Sequence, residues 1–126
     1  MKRLSKVKVR GPKLTFKQAA DRIYRRLRGP WLAQNRACKP SLLLEDRARL
    51  VPSSDIHHLR GRHRTLLIDK RFFCPTSRKW HDWIDAHPDE ARKYGFLCER
   101  GDWHREPGDA ETERLTALIE AEMYAK

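Results

Sequence analysis

The chain has 126 residues, with 28 Lys and Arg against 17 Asp and Glu and a formal charge of +11. That length suits one domain with a modest core, and the basic excess points to a polyanionic partner. No apolar run approaches the ~20 residues that span a bilayer, and the start MKRLSKVKVRGPK lacks the apolar segment of a secretory signal, so a membrane or exported protein is not expected.

The charge is graded along the chain. Residues 1–30 hold eleven basic side chains against one acid, residues 31–100 fourteen against nine, and residues 101–126 three against seven. Residues 1–13 read as a flexible basic arm ending at Gly11-Pro12. Thr15 and Gln18 have capping-box spacing, and Phe16, Ala19, Ala20, Ile23, Tyr24 and Leu27 then recur every three or four residues. This predicts an amphipathic helix stopped by Gly29-Pro30, with Trp31, Leu32 and Ala33 packing on the core just beyond. Arg22, Arg25, Arg26 and Arg28 cover much of the rest of its surface and suit a nucleic-acid backbone.

Residues 38–54 are irregular: the short run Leu42-Leu43-Leu44, a charged stretch over residues 45–49, and the breaker Pro52-Ser53-Ser54. Two extended pieces follow, residues 55–59 and about 66–75, joined by the loop GRHRT. Ser77 can cap a helix to Ala86 that buries Trp80, Trp83 and Ile84. His87-Pro88-Asp89-Glu90 opens a short helix ended by Gly95. From Ala110, the spacing of Leu115, Leu118, Ile119 and Met123 predicts a last amphipathic helix over residues 110–126. Residues 14–109 are expected to form the main domain. The cysteines Cys38, Cys74 and Cys98 are odd in number and widely spaced, which fits a reducing cytoplasm rather than a disulfide framework.

The chemistry gathers around DIHHLRGR, residues 55–62. Two adjacent histidines there fit a hydrolytic site, a metal site or a polar bend. The order strand, loop, strand, helix places SRKWHDWID about twenty residues on, with His81 and Asp85 one turn apart on one helix face. A hairpin with that helix over it would bring His57, His58, His81 and Asp85 together, a set suited to a divalent transition metal or a partly hydrated Mg²⁺.

The residues D-I-H-H-L-R-G-R, L-L-I-D, S-R-K-W-H-D-W-I, H-P-D-E-A and Y-G-F-L resemble the HNH (ββα-metal) endonucleases, in particular their small bacteriophage branch with its recombination-associated members. The resemblance runs from about Trp31 to Gly101. It implies an α+β fold with a ββα-metal hairpin-helix core, flanking helices and the basic arm. It also implies DNA as the partner, RNA not excluded, and the cytoplasm of a bacterium or phage-infected host as the place. His57 matches a metal ligand, His58 the general base, His81 a second metal ligand, and Asp85 a position where some members add another. The expected ion is Mg²⁺ or Mn²⁺, with Zn²⁺ or Ni²⁺ as alternatives. A histidine with pKa near ~6.5 can accept water's proton at pH 7. Arg60 and Arg62 would grip neighbouring phosphates, and Arg64 belongs to the same basic stretch.

Two departures stand out. Many members hold a structural zinc in two C-x-x-C knuckles, but here these read Cys38-Lys39-Pro40-Ser41 and Ser77-Arg78-Lys79-Trp80. Three of four ligands are missing, so that zinc is not expected, and a rescue by Cys38, Cys74 and Cys98 falls short of four ligands. Phe72 occupies the position of the family's asparagine, which steadies the base histidine. Asp69, Arg71 or the backbone is left to do so.

Plainer readings stand beside these. Asp85 can be solvated or paired with Arg78 or Lys79, Arg60 and Arg62 can be a solvated loop, and His104 reads as surface. Trp103 is open to core or base stacking. The expectation is a metal-dependent endonuclease that nicks or cleaves DNA with limited sequence preference, and the recombination-associated relatives imply branched or otherwise structured DNA as a candidate substrate. Its rivals are a non-catalytic nucleic-acid-binding module on the same fold, and a packaging or assembly partner in a phage.

Overall fold

The computed structural model describes residues 11–45 and 51–125. Residues 1–10 of the expected basic arm, and residues 46–50 of the charged stretch, lie outside the described residues. The chain is α+β, with five α-helices and one two-stranded antiparallel sheet among the described residues. No described helix is long and apolar enough to cross a membrane.

Helix α1 (Phe16–Gln34) starts at the predicted capping box: the Gln18 amide donates to Thr15 Oγ1 (3.1 Å) and the Thr15 amide to Gln18 Oε1 (2.9 Å). Two amides that lack helical partners are thereby satisfied. Ala19, Ala20, Ile23 and Tyr24 are buried on one face. Gly29-Pro30 does not stop the helix, which runs on through Pro30 to Gln34. Proline deletes one N–H and crowds the carbonyl four residues back. Beyond it, however, Trp31 and Leu32 pack on the same core as Ile23, and the Trp31 ring meets Phe73 edge-on at 5.4 Å. Burying those two anchors outweighs one lost hydrogen bond.

The irregular segment contains a helix that the sequence pattern did not announce, α2 (Lys39–Leu44), with proline in its first turn. Strands β1 (Asp55–His58) and β2 (Phe73–Thr76) pair from Asp55↔Thr76 to His58↔Phe73. The second strand is much shorter than the expected 66–75. Leu66, Leu67 and Ile68 are buried, but in and just after a 3-10 turn (Arg64–Leu67), and a second turn covers Lys70–Phe72. Three consecutive apolar residues carry no period and fit a buried turn as well as a strand. Asp69 then bends the chain by accepting from the Arg71 amide at 3.2 Å.

After β2, Ser77 accepts from the Trp80 amide and caps α3 (Arg78–Ala86). Ile84 is its buried side chain, whereas Trp80 and Trp83 are only half-buried. Helix α4 (Pro88–Lys93) follows, and α5 (Ala110–Tyr124) is capped by Asp109 and packs along α1 through Leu115 and Ile119. Leu118, expected on that buried stripe, is 44% exposed.

The strand pleat sends successive side chains to opposite faces. Ile56 and Phe73 join α1 and α5 in the main core, and Cys74 joins Ile84, Ala91 and Phe96 in a smaller one. The hairpin is thus covered on both faces, and its two histidines are divided between them.

Candidate active site

The pleat splits the pair. His58 turns toward the main core, its ring 5.4 Å from Tyr24 and 4.9 Å from Phe73. His57 turns toward α3, its ring 5.3 Å from His81 at 65°. At the end of β1 both reach one cleft of about 240 Å³, which Arg62, His81, Asp85, Trp103 and His104 also line. All four residues singled out by spacing line this cleft, with the two adjacent histidines entering it from opposite faces of the hairpin.

Each imidazole is oriented by its other nitrogen. His58 Nε2 donates to the Leu67 carbonyl (3.1 Å) and His57 Nε2 to the Phe96 carbonyl (2.6 Å). A carbonyl only accepts, so in both neutral rings the lone pair sits on Nδ1. His81 donates from Nδ1 to Asp55 Oδ2 at 3.0 Å, which leaves its lone pair on Nε2. A carboxylate behind a histidine is the usual arrangement around metal-ligating imidazoles.

Both paired histidines are almost fully buried, and burial pushes each down to about 4, against the upward pull of its carbonyl bond. Arg62 lowers His58 further. Burial alone would raise Asp55, but hydrogen bonds from His81 and Ser54 and the nearby Arg78 charge bring it below the usual carboxylate range. At neutral pH the cleft therefore offers neutral imidazoles at His57 and His58 and an ionised acid behind His81.

The donors fit a metal in kind: two oriented imidazoles and the Asp85 carboxylate on one cleft. Among the described residues no three His, Cys, Asp or Glu side chains are drawn together as a finished cage. Arg78 and Lys79 do not engage Asp85; they pair with Asp55 (3.2 Å) and Glu45 (3.0 Å).

The arginines fall into two groups. Arg62 is exposed on the cleft, with its guanidinium 5.3 Å from the Tyr24 ring centre. Arg60 is turned inward: it donates to the Arg105 carbonyl at 2.6 Å and lies 5.0 Å from the Phe72 ring centre. Arg64 pairs with Glu106 at 3.2 Å. On α1, Arg22 and Arg26 share Glu122 (2.8 and 2.5 Å), Arg28 donates to the Ser54 carbonyl, and Arg25 is exposed.

Where the family resemblance placed four knuckle cysteines, the chain makes a polar cluster. Cys38 Sγ donates to Ser77 Oγ at 3.7 Å, while Ser41 Oγ (2.5 Å) and Trp80 Nε1 (3.0 Å) both donate to Glu45. Burial pushes the Cys74 thiol up to about 12, which leaves it protonated.

Sequence reasoning missed four contributors. Asp55 was read as a flanking acid. The Leu67 and Phe96 carbonyls carry no side-chain signal at all. His104 was read as surface and is exposed; what went unread is that it also lines the cleft and stacks on Trp103 at 4.8 Å. A histidine next to tryptophan in GDWHREP was the only available hint. No family model, curated protein or solved structure matches the chain.

Proposed function

We propose that this chain is a metal-dependent endonuclease of the HNH (ββα-metal) type that hydrolyses DNA phosphodiester bonds with limited sequence preference. The observation that carries the reading is the orientation of His58. Its Nε2–H is fixed on the Leu67 carbonyl, so Nδ1 is the basic nitrogen of a neutral ring beside His57, His81 and Asp85.

In this reading His58 Nδ1 takes the proton from the attacking water. His57, His81 and Asp85 would hold a divalent ion, Mg²⁺ or Mn²⁺ for preference, and Asp55 keeps His81 turned toward it. When bound, such an ion supplies positive charge at the phosphate and the departing 3′ oxygen. Arg62 grips a neighbouring phosphate oxygen from the cleft edge. Arg60 is held on the Arg105 carbonyl, and Arg22 and Arg26 share Glu122 at the surface, so Arg62, Arg25 and the basic residues near the N-terminus are the arginines and lysines left for phosphate contact.

Supercoiled-plasmid nicking with Mg²⁺ or Mn²⁺ decides the matter. Wild type is expected to convert plasmid to the open-circular form and His58→Ala to lose that conversion. Equal background from both, with DNA binding intact, makes the chain a nucleic-acid-binding module instead.

A further inference from the structure

A second cavity of about 410 Å³ adjoins the cleft and shares His57, Asp85 and Trp103 with it. Its remaining wall is apolar at Ile84, Pro88 and Leu97 and basic at Arg92 and Arg100. The volume falls in the ~300–1,000 Å³ range of small-molecule sites.

Trp103 stands between the two spaces and is 45% exposed. An exposed indole normally lies down or packs away. This one is presented by a segment fastened at several points. Its ring rests on His104 at 26°, and the His104 amide donates to the Arg60 carbonyl at 2.8 Å. Arg60 reaches over to the Arg105 carbonyl and lies 3.9 Å from Asp102. His104 itself has φ +64°, a conformation uncommon for side-chain-bearing residues. Gly61 opposite has φ +88°, and a Cβ there would meet His104 Cδ2 at 2.2 Å. Only glycine lets the imidazole sit so close beneath the indole.

We infer that Trp103 and this cavity take an unstacked nucleobase next to the phosphate held in the cleft, so that the substrate is DNA with unpaired nucleotides. A half-exposed indole with one face stacked on His104, lining a cavity that also has an apolar wall and two arginines, resembles the aromatic platforms on which single strands stack. The adjoining cavity is too close to the cleft to serve a separate ligand, since His57 and Asp85 belong to both. The assignment of DNA rests on the nuclease reading.

The test uses the full chain carrying His58→Ala, without divalent ions, titrated into fluorescein-labelled single-stranded, fully paired and gapped-duplex oligonucleotides. Tighter binding to the single strand and the gapped duplex is expected. Trp103→Ala should cut the ratio of unpaired to paired affinities by about 5-fold or more, the scale of one base stack, and Trp103→Phe should restore most of it. A ratio near one, or a ratio that Trp103→Ala leaves unchanged, overturns the inference. Plasmid nicking by wild type reports separately: nicking with no preference sinks the base pocket alone. A Trp103-dependent preference without nicking sinks the nuclease alone.

Discussion

Asp55 Oδ2 and His81 Nδ1 lie 3.0 Å apart, joining the first residue of β1 to the fourth residue of α3 across the domain. The bond fixes which nitrogen of His81 faces the cleft. Removing such a carboxylate typically costs 10–100-fold in metal affinity or activity. Asp55→Ala is therefore expected to weaken Mn²⁺ binding, read by calorimetry, and plasmid nicking by about that factor. Asp55→Asn, whose amide oxygen still accepts the bond, should lose less. If Asp55→Ala binds Mn²⁺ as tightly as wild type, His81 is not a ligand oriented in this way.

The depressed His57 and His58 make a pH prediction for the metal-free chain. Unfolded, each has a pKa near ~6.5; folded, burial holds each at about 4. Between those values the unfolded chain binds protons that the folded chain does not. Stability is then fully present above ~6.5, is lost as pH falls toward 4, and changes no further below it. The scale is about 3 kcal/mol per group. Urea midpoints measured from pH 7.5 down to 4.5 should fall steadily, and His58→Gln should flatten the slope by about half. A level midpoint across that window contradicts the burial argument.

Phe72→Asn restores the residue type that the family resemblance expects. Its outcome follows from the Leu67 carbonyl, which already holds His58 Nε2 at 3.1 Å. An added amide has no vacant task there, and the substitution removes the ring that faces Arg60 (5.0 Å) and Arg71 (5.3 Å). Nicking should stay within about 2-fold of wild type while stability falls by about 1 kcal/mol. A tenfold gain in nicking would mean that the carbonyl does not suffice.

What could be read in advance divides along the range of the interaction. The Thr15–Gln18 box, the Ser77 cap and the Pro88 helix start are local, and all three form where their spacing put them. The Gly29-Pro30 stop was also a local reading, but it lost to long-range packing of Trp31 on Phe73. Leu66, Leu67 and Ile68 announced burial without announcing a period. The histidine cluster was legible because side-chain chemistry at a fixed spacing leaves a mark. Its supports were not: any residue at positions 67 and 96 supplies a carbonyl, and His104 reaches the cleft only through Arg60 and Gly61.

Arg60 and Arg62, grouped by sequence, should now separate. Arg62 is exposed at the cleft, so Arg62→Ala should leave Tm nearly unchanged. It should also lower DNA affinity and reduce the slope of log K against log salt by about 1. Arg60 fastens the Trp103 segment through the Arg105 carbonyl, so Arg60→Ala should cost about 1–3 kcal/mol of stability. Melting curves and salt-titrated binding on both variants check the contrast. The assignment is reversed if Arg62→Ala melts early and Arg60→Ala alone changes the salt slope.

The polar cluster at Cys38, Ser41, Ser77 and Trp80 makes the last prediction. Glu45 accepts from Ser41 Oγ, Trp80 Nε1 and Lys79 Nζ, and these bonds, led by Ser41, bring its carboxyl down to about 2. It links α2 to α3 where the resemblance would have two knuckles share an ion. If hydrogen bonds serve there instead of zinc, chelators should leave Tm unchanged, and metal analysis should find no tightly held zinc. Trp80→Phe keeps the ring but removes the Nε1–H, so it should lower Tm measurably. Glu45→Ala, which removes the acceptor altogether, should lower Tm in the same direction, and combining it with Trp80→Phe should cost less than the two separately, because both break the Trp80–Glu45 bond. One zinc per chain, with a Tm that collapses in chelator, would place a metal where this network now stands.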